Sequence, residues 1–177
     1  MIDAFLKLRP VAPEDEPFLR ELRAQVDIER LGLRHWSPDS EGLARKIIEQ
    51  QFKGHQAHYK AVKSGWDTKD CIIELNQRPV GRFIVTQDSR IVFLADIAVH
   101  PAFRGQGLGE AVIEATKSEC QASRRVLQLH VDPLNPAVQF YLNLGFRAIG
   151  QEPALVLMEW VPPSLMDRTR VFGPGRK

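Results

Sequence analysis

The chain has 177 residues, of which 44% are hydrophobic and 26% charged, and these values predict one globular domain with a sizeable core. The near balance of 24 basic and 22 acidic residues argues against a dedicated nucleic-acid binder. No apolar run approaches the ~18 residues of a membrane span, and residues 1–10 contain no signal-peptide core. We therefore expect a soluble, cytoplasmic protein that binds neither nucleic acid nor membrane.

The first predicted elements, in chain order, are a strand and two helices. Residues Phe5–Pro10 alternate apolar and charged side chains, as a half-buried strand does. A helix follows from Pro13, because proline and the three acidic residues after it suit a first helical turn. A second helix is expected from Ser37 to about Phe52, and the stretch 55–70 has no clear period.

The remaining elements predict a mixed sheet, an α/β (α+β) fold with the order β-α-α-β-β-β-α-β-α-β-β. They are three strands joined by tight turns (Cys71–Leu75, Pro79–Thr86, Ile91–Val99), a helix from Gly107 to about Ser123, a strand Val126–Val131, a helix Pro136–Leu144, and strands Phe146–Ile149 and Ala154–Trp160. The unit from Ile91 to Val131 should be a parallel right-handed crossover. We assign residues 1–161 to the domain and residues 162–177, rich in proline and glycine, to a flexible tail.

The segment Asp96–Gly109 carries the chemistry of the sequence. It reads as a buried strand, a glycine-rich turn and the first turn of a helix. Backbone N–H groups at such a turn and the positive end of the helix dipole together favour an anion such as a phosphate. The same glycines could instead serve only a tight connection. The spacing is neither that of a Walker P-loop nor the Rossmann fingerprint.

Two motifs resemble those of one family. Arg104-x-x-Gly107-x-Gly109 is similar to the pyrophosphate-binding signature of the GCN5-related N-acetyltransferases (GNAT). Downstream, Asn135 followed by Phe140-Tyr141 and then Gly145-Phe146 resembles that family's second signature at the interval the fold requires. The resemblance implies a single-domain GNAT fold in which parallel strands 4 and 5 splay apart, and acetyl transfer from acetyl-CoA to an amine.

The resemblance also implies which residues contact acetyl-CoA. They are Ile97, Ala98 and Val99 through main-chain groups, Arg104, Gly105, Gln106, Gly107, Leu108 and Gly109 at the pyrophosphate, and Asn135 at the pantetheine arm. Tyr141 matches the family's acid, and a phenol with a pKa near 10 can protonate a leaving thiolate. The alternative is that Tyr141 only packs its helix.

Asp96 and His130 are both candidates for the general base. If strands 4 and 5 are parallel neighbours and alternate regularly, Asp96, Gln128 and His130 share one face. A bulge in strand 4 would change that face. Many relatives carry an acid near Asp96, whereas His130 has the better unperturbed pKa. Each could instead be a structural polar residue at a strand end.

Other candidates are weaker. His55 and His58 are three residues apart without an evident third ligand, so we predict no metal, and Cys71 and Cys120 are expected to be free thiols. His35-Trp36 and Trp66 would either flank the acceptor mouth or pack the core, and His100 is expected to shape the exit of strand 4. The acceptor is an amine of a small molecule or a peptide. A non-catalytic acyl-CoA-binding module, an acyltransferase for longer acyl groups, and a homodimer stay open alternatives.

Overall fold

The computed structural model describes residues 6–30, 66–151 and 155–166, so the helix predicted from Ser37 lies outside the described residues. The strands in this part of the chain are β1 (Leu6–Pro10), β2 (Asp67–Leu75), β3 (Arg78–Gln87), β4 (Ile91–Val99), β5 (Val126–Val131), β6 (Arg147–Gln151) and β7 (Val156–Trp160). The helices are α1 (Glu16–Arg30), α2 (Leu108–Ser123), α3 (Ala137–Asn143) and α4 (Pro163–Met166), with 3-10 turns at Pro13–Asp15 and Pro101–Phe103. Among these helices none is long and apolar enough to cross a bilayer.

The strands form a mixed sheet in the order β1-β2-β3-β4-β5-β7-β6. β4 and β5 are parallel, whereas β1 is antiparallel to β2, and β7 is antiparallel to both β5 and β6. The predicted mixed α/β sheet with a parallel crossover from β4 to β5 is therefore confirmed.

The β2–β3 hairpin follows from its two turn residues. Asn76 and Gln77 have φ values of 53° and 65°, the left-handed region that a two-residue type I′ turn requires at both positions. β2 begins at Asp67, four residues before the predicted start at Cys71. Its polar first residues pair because Asp70 accepts two hydrogen bonds from the Arg82 guanidinium, at 2.9 and 2.6 Å, so context overrides their low strand propensity.

Contacts group the chain into two compact units. Unit 1 comprises Met1–Ile84 with Asp96–Gly109, and unit 2 comprises Val85–Ala95 with Glu110–Lys177. The assignment of residues 1–161 to one domain stays a prediction. At its far end, α4 forms within the first residues of the predicted tail, where proline at the first helical position is favourable.

Each unit has its own buried apolar residues. In unit 1 they are Leu19, Leu22, Ile72, Ile73, Val80, Phe83, Ile84 and Leu108. In unit 2 they are Val85, Val92, Phe93, Leu94, Val112, Ile113, Cys120, Leu127, Leu129, Val131, Tyr141, Phe146 and Met158. Both faces of β3 and of the first half of β4 are covered, as expected for central strands of an α/β sheet.

An ion-pair network fixes the N-terminal end of unit 1. The Arg9 guanidinium donates to both carboxylate oxygens of Asp15 at 2.6 Å and to Glu74 at 2.6 Å. Asp15 also accepts from the Ala12 N–H at 2.8 Å. The hydrogen bonds from Arg9, followed by that from Ala12, hold the pKa of the Asp15 carboxyl below its usual value, although burial opposes them.

We predict that Asp15→Asn lowers the free energy of unfolding by roughly 1–3 kcal/mol at pH 7, because a buried, charged acceptor is lost. A lowered folded-state pKa gives stability that is present above the unfolded pKa, near 4, and is lost as the pH falls through the folded value. Urea unfolding at several pH values should therefore show that the difference in free energy of unfolding between wild type and Asp15→Asn shrinks below about pH 4.

Glu16→Gln is the matched control, because Glu16 forms an exposed pair with Arg20 one helical turn away. Its effect should stay below roughly 0.5 kcal/mol. An Asp15→Asn deficit that is independent of pH would contradict the electrostatic explanation.

Candidate active site

The last residues of β4 have one edge facing β3. The His100 N–H donates to the Val80 carbonyl at 2.8 Å. A Cβ added to Gly81 would lie 2.4 Å from the Ala98 carbonyl oxygen, so Gly81 lets the two backbones approach. In a strand, the N–H and C=O of one residue point to the same edge and those of the next residue to the other. Ala98 and His100 therefore face β3, and Val99 faces away from it.

The other edge of β4 faces β5, and the register between these two strands covers the first residues of β4. The register with β5 runs from Ile91–Val126 to Leu94–Leu129 in the described residues. Ile97 and Val99, which face this edge, lie beyond that register. The Val99 carbonyl accepts from Arg104 Nε at 2.9 Å. The main-chain role predicted for Ala98 does not fit its orientation toward β3.

The exit from β4 is shaped by His100, as predicted. His100 caps the 3-10 turn Pro101–Phe103, and its Nδ1 accepts from the Ala102 N–H at 3.2 Å. The Phe103 ring meets the His100 ring edge-on at 5.9 Å, and the Arg78 guanidinium lies 5.0 Å from its centroid. These contacts fix the direction in which the chain enters the glycine-rich turn.

The glycine-rich turn is open on the side where side chains would stand. Gly105 and Gly107 both have a φ of +73°, a conformation that glycine adopts without strain. A Cβ built at either would meet no atom within 4 Å. In the described residues, the N–H groups of Gly105, Gln106 and Gly107 donate to no carbonyl in a turn or loop. Within this part of the chain, the turn thus offers available donors beside empty space.

The start of α2 completes this anion-binding geometry. Its first N–H groups have no carbonyl partner within the helix and form the positive end of the helix dipole. Leu108 is only 2% exposed, so it anchors the start of the helix. Gly109 is half-buried in the same turn. The N–H groups of the turn and the positive end of the helix dipole together favour an anion such as a phosphate.

The Arg104 side chain is engaged by neighbouring groups, and the predicted contact of Arg104 with the pyrophosphate stays a prediction. Its guanidinium contacts the Glu29 carboxylate through NH1 and the Val99 carbonyl through Nε. Its charge is thereby paired with an acid of α1, while its backbone leads directly into Gly105. The groups of this loop that suit an anion are therefore the main-chain N–H groups of the turn.

In unit 2, Tyr141 lies on α3 and is locked by the end of that helix. The Phe146 N–H donates to the Tyr141 carbonyl at 3.0 Å, and the Gly145 N–H donates to Leu142 at 2.9 Å. With Gly145 at a φ of +80°, this is a Schellman motif. The Phe146 ring packs against the Tyr141 ring at 5.5 Å, and Tyr141 is 7% exposed. The Gly-Phe pair therefore fixes the tyrosine's position.

Asn135 holds the beginning of the same helix. Its Oδ1 accepts from the Ala137 N–H at 2.9 Å, and its carbonyl accepts from Val138 at 3.0 Å. The residue is exposed. Because Oδ1 is engaged, the side-chain amide nitrogen is the group that suits an external acceptor.

His130 is exposed on β5, and its ring meets that of Phe93 edge-on at 5.2 Å. The neighbouring residue on the same face, Gln128, donates to Glu159 at 2.7 Å. Both polar side chains therefore lie on the face that carries Phe93, while Leu127, Leu129 and Val131 are buried on the other.

The predicted grouping of Asp96 with Gln128 and His130 depends on which face of the sheet each side chain of β4 occupies. The register pairs Leu94 with Leu129, and regular alternation would place Asp96 on that face. The shared face consequently requires an irregularity between Leu94 and Asp96. It stays a prediction, as do the catalytic roles of Asp96 and His130.

Two residues of the site were absent from the sequence expectations. Gly81 had a signal, since a glycine inside a strand marks a close backbone approach. Glu29 had none, because its partner Arg104 lies 75 residues away. Among the described residues, no group of three or more His, Cys, Asp or Glu could hold a metal ion. His35, Trp36, His55 and His58 lie outside them, and Trp66 is half-buried.

Comparison with known proteins agrees with this geometry. Residues 67–148 match the family model described as "Acetyltransferase (GNAT) domain". An acetyltransferase from Thermus thermophilus superposes with a TM-score of 0.65 at 22% identity, covering 91% of this chain and 99% of that one. The PaiA N-acetyltransferase of Thermoplasma acidophilum, solved with coenzyme A, gives 0.65 at 15% identity, covering 88% and 98%.

A third structure is the ribosomal-protein-S18-alanine N-acetyltransferase of Escherichia coli. It superposes with a TM-score of 0.57 at 19% identity, covering 88% of this chain and 93% of that one. No curated protein matches the chain. At these identities the three structures establish the fold, and the family model adds that residues 67–148 are similar to an acetyltransferase domain.

Proposed function

We propose that the protein, whose residues 67–148 match the GNAT acetyltransferase family model, transfers the acetyl group of acetyl-CoA to a primary amine of a small molecule or peptide. The observation that carries the proposal is the turn at Gly105 and Gly107, where two positive-φ glycines border unfilled space at the start of α2. A structural neighbour solved with coenzyme A and another named for acetylating a protein's alanine support the cosubstrate and the class of acceptor.

In the proposed complex, the cosubstrate is held mainly by main-chain groups. The pyrophosphate accepts from N–H groups of the turn Gly105–Gly109. The pantetheine arm pairs with Ile97 and Val99 as an added strand would. In unit 2, the Asn135 amide nitrogen donates to the arm. The assignment of residues from both units to one cosubstrate rests on the family resemblance.

The proposed reaction is a direct attack. A neutral amine nitrogen bonds to the thioester carbonyl carbon, and a base removes the proton that the nitrogen carries in excess. The charge that develops on the carbonyl oxygen is stabilised by an N–H of β4, from Ile97 or Val99. The carbon–sulfur bond then breaks, and the CoA thiolate takes a proton from Tyr141.

The base is either Asp96 or His130. Asp96 lies two residues beyond Leu94, the last residue of β4 in register with β5, whereas His130 is exposed. The pH profile of kcat/KM for Asp96→Asn and His130→Gln decides between them, since the base is the residue whose loss removes the acidic limb.

Two alternatives to an acetyltransferase can each be distinguished by one experiment. A non-catalytic acyl-CoA-binding module would bind acetyl-CoA without releasing free thiol when amines are supplied. An acyltransferase for longer groups would prefer propionyl or succinyl donors over acetyl-CoA. The cytoplasmic location stays a prediction from the sequence.

We predict that Gly107→Asp weakens acetyl-CoA binding about tenfold or more relative to Gly107→Asn. Both side chains tolerate a left-handed backbone, and both would enter open space, so the two variants differ by one charge. Calorimetry should show this difference in Kd, and higher salt should reduce it. Equal affinities for the two variants would contradict a diphosphate site at this turn.

We predict that Tyr141→Phe lowers kcat about 10²-fold or more while the Kd for acetyl-CoA changes little, because only the hydroxyl proton is removed. The phenylalanine ring preserves packing against Phe140 and Phe146, so thermal unfolding should be nearly unchanged. Single-turnover release of CoA thiol is the measurement. An unaltered rate would show that Tyr141 only packs α3.

A further inference from the structure

Two side chains connect the loop that carries the glycine-rich turn to α1: His100, whose Nε2 lies 3.8 Å from Glu21, and Arg104. The Arg104 guanidinium contacts the Glu29 carboxylate near the end of α1 and donates to the Val99 carbonyl at 2.9 Å. Glu29 is the more enclosed partner, with a side chain 22% exposed against 44% for Arg104. One side chain therefore joins a helix, the last residue of β4 and the residue that precedes Gly105.

The backbone at Arg104 and Gly105 has few other contacts among the described residues. Arg104 itself is extended, with φ −72° and ψ 166°, and its N–H makes only a long 3.3 Å contact with the Pro101 carbonyl. The following Gly105 has a φ of +73° and no atom near its side-chain position. A flexible turn of this kind loses conformational entropy when it binds a ligand unless its neighbours already hold it.

If Glu29 acted only through its negative charge, it would weaken the binding of a diphosphate, whereas restraint of the turn would strengthen it. A carboxylate near a diphosphate site repels the ligand, and its removal should strengthen binding if the residue is only a charged neighbour. Its removal would also release the Arg104 guanidinium toward the anion. Positioning and simple electrostatics thus predict opposite changes in affinity.

We propose that Glu29 is a positioning residue for acyl-CoA, which holds Arg104 on the Val99 carbonyl and so fixes the turn that receives the diphosphate. The proposal rests on the proposed function. It assigns to α1 a role in cosubstrate binding that acts through Arg104 rather than by contact with the ligand.

The test compares Glu29→Ala, Glu29→Gln and the control Glu16→Ala. Glu16 is an exposed acid on the same helix and pairs with Arg20, so its removal changes the net charge equally without touching the loop. We expect Glu29→Ala to raise the Kd and KM for acetyl-CoA about 5- to 20-fold with kcat nearly unchanged, the effect of one charge-assisted hydrogen bond. Glu29→Gln keeps an acceptor oxygen and should recover part of the loss.

Two further measurements isolate the mechanism. S-acetylpantetheine lacks the diphosphate, so its Kd should respond much less to Glu29→Ala than the Kd of acetyl-CoA. In an Arg104→Ala background, Glu29→Ala should have no additional effect, because the two residues act as one unit. Thermal unfolding verifies that each variant is folded.

The outcomes separate the two proposals. If folded wild-type protein does not bind acetyl-CoA, the proposed function and this inference both fail. If the wild type binds and Glu29→Ala binds equally well or more tightly, only the positioning role is overturned. Additive effects of Glu29→Ala and Arg104→Ala would overturn it as well.

Discussion

β4 pairs with β3 as far as His100, whereas its register with β5 runs only to Leu94 in the described residues. Main-chain N–H and C=O groups on the released edge still need hydrogen-bond partners. The Val99 carbonyl meets this requirement with the Arg104 side chain. An acyl-CoA arm with its own amides is suited to that edge, and this is why the end of one strand determines where the cosubstrate is proposed to bind.

The same constraint links the strand to the turn that follows. Because the Arg104 side chain caps the Val99 carbonyl, recognition of the proposed diphosphate would depend on the backbone N–H groups of the turn. Backbone recognition requires a precisely held conformation, which the positive φ angles of Gly105 and Gly107 permit and Glu29 is proposed to restrain. In unit 2 the Schellman motif around Gly145 gives Tyr141 a similarly fixed position.

Sequence patterns sufficed where the information was local. The bounds of β4 and β5 matched because both are apolar runs between turn signals. The hairpin at Asn76-Gln77 matched because asparagine suits the left-handed backbone of its tight turn. Contacts distant in sequence were not predictable. The orientation of Ala98 depends on β3, and the face of Asp96 depends on a register that neither strand specifies alone.

The most direct test of the central claim follows the backbone amide resonances of the protein as acetyl-CoA and then S-acetylpantetheine are added. We predict that acetyl-CoA shifts the amides of Ile97, Val99, Gly105 and Gly107 with one common Kd, and that S-acetylpantetheine shifts only the two on β4. Binding of acetyl-CoA that leaves these four amides unchanged would contradict the claim, because the ligand would then occupy a different surface.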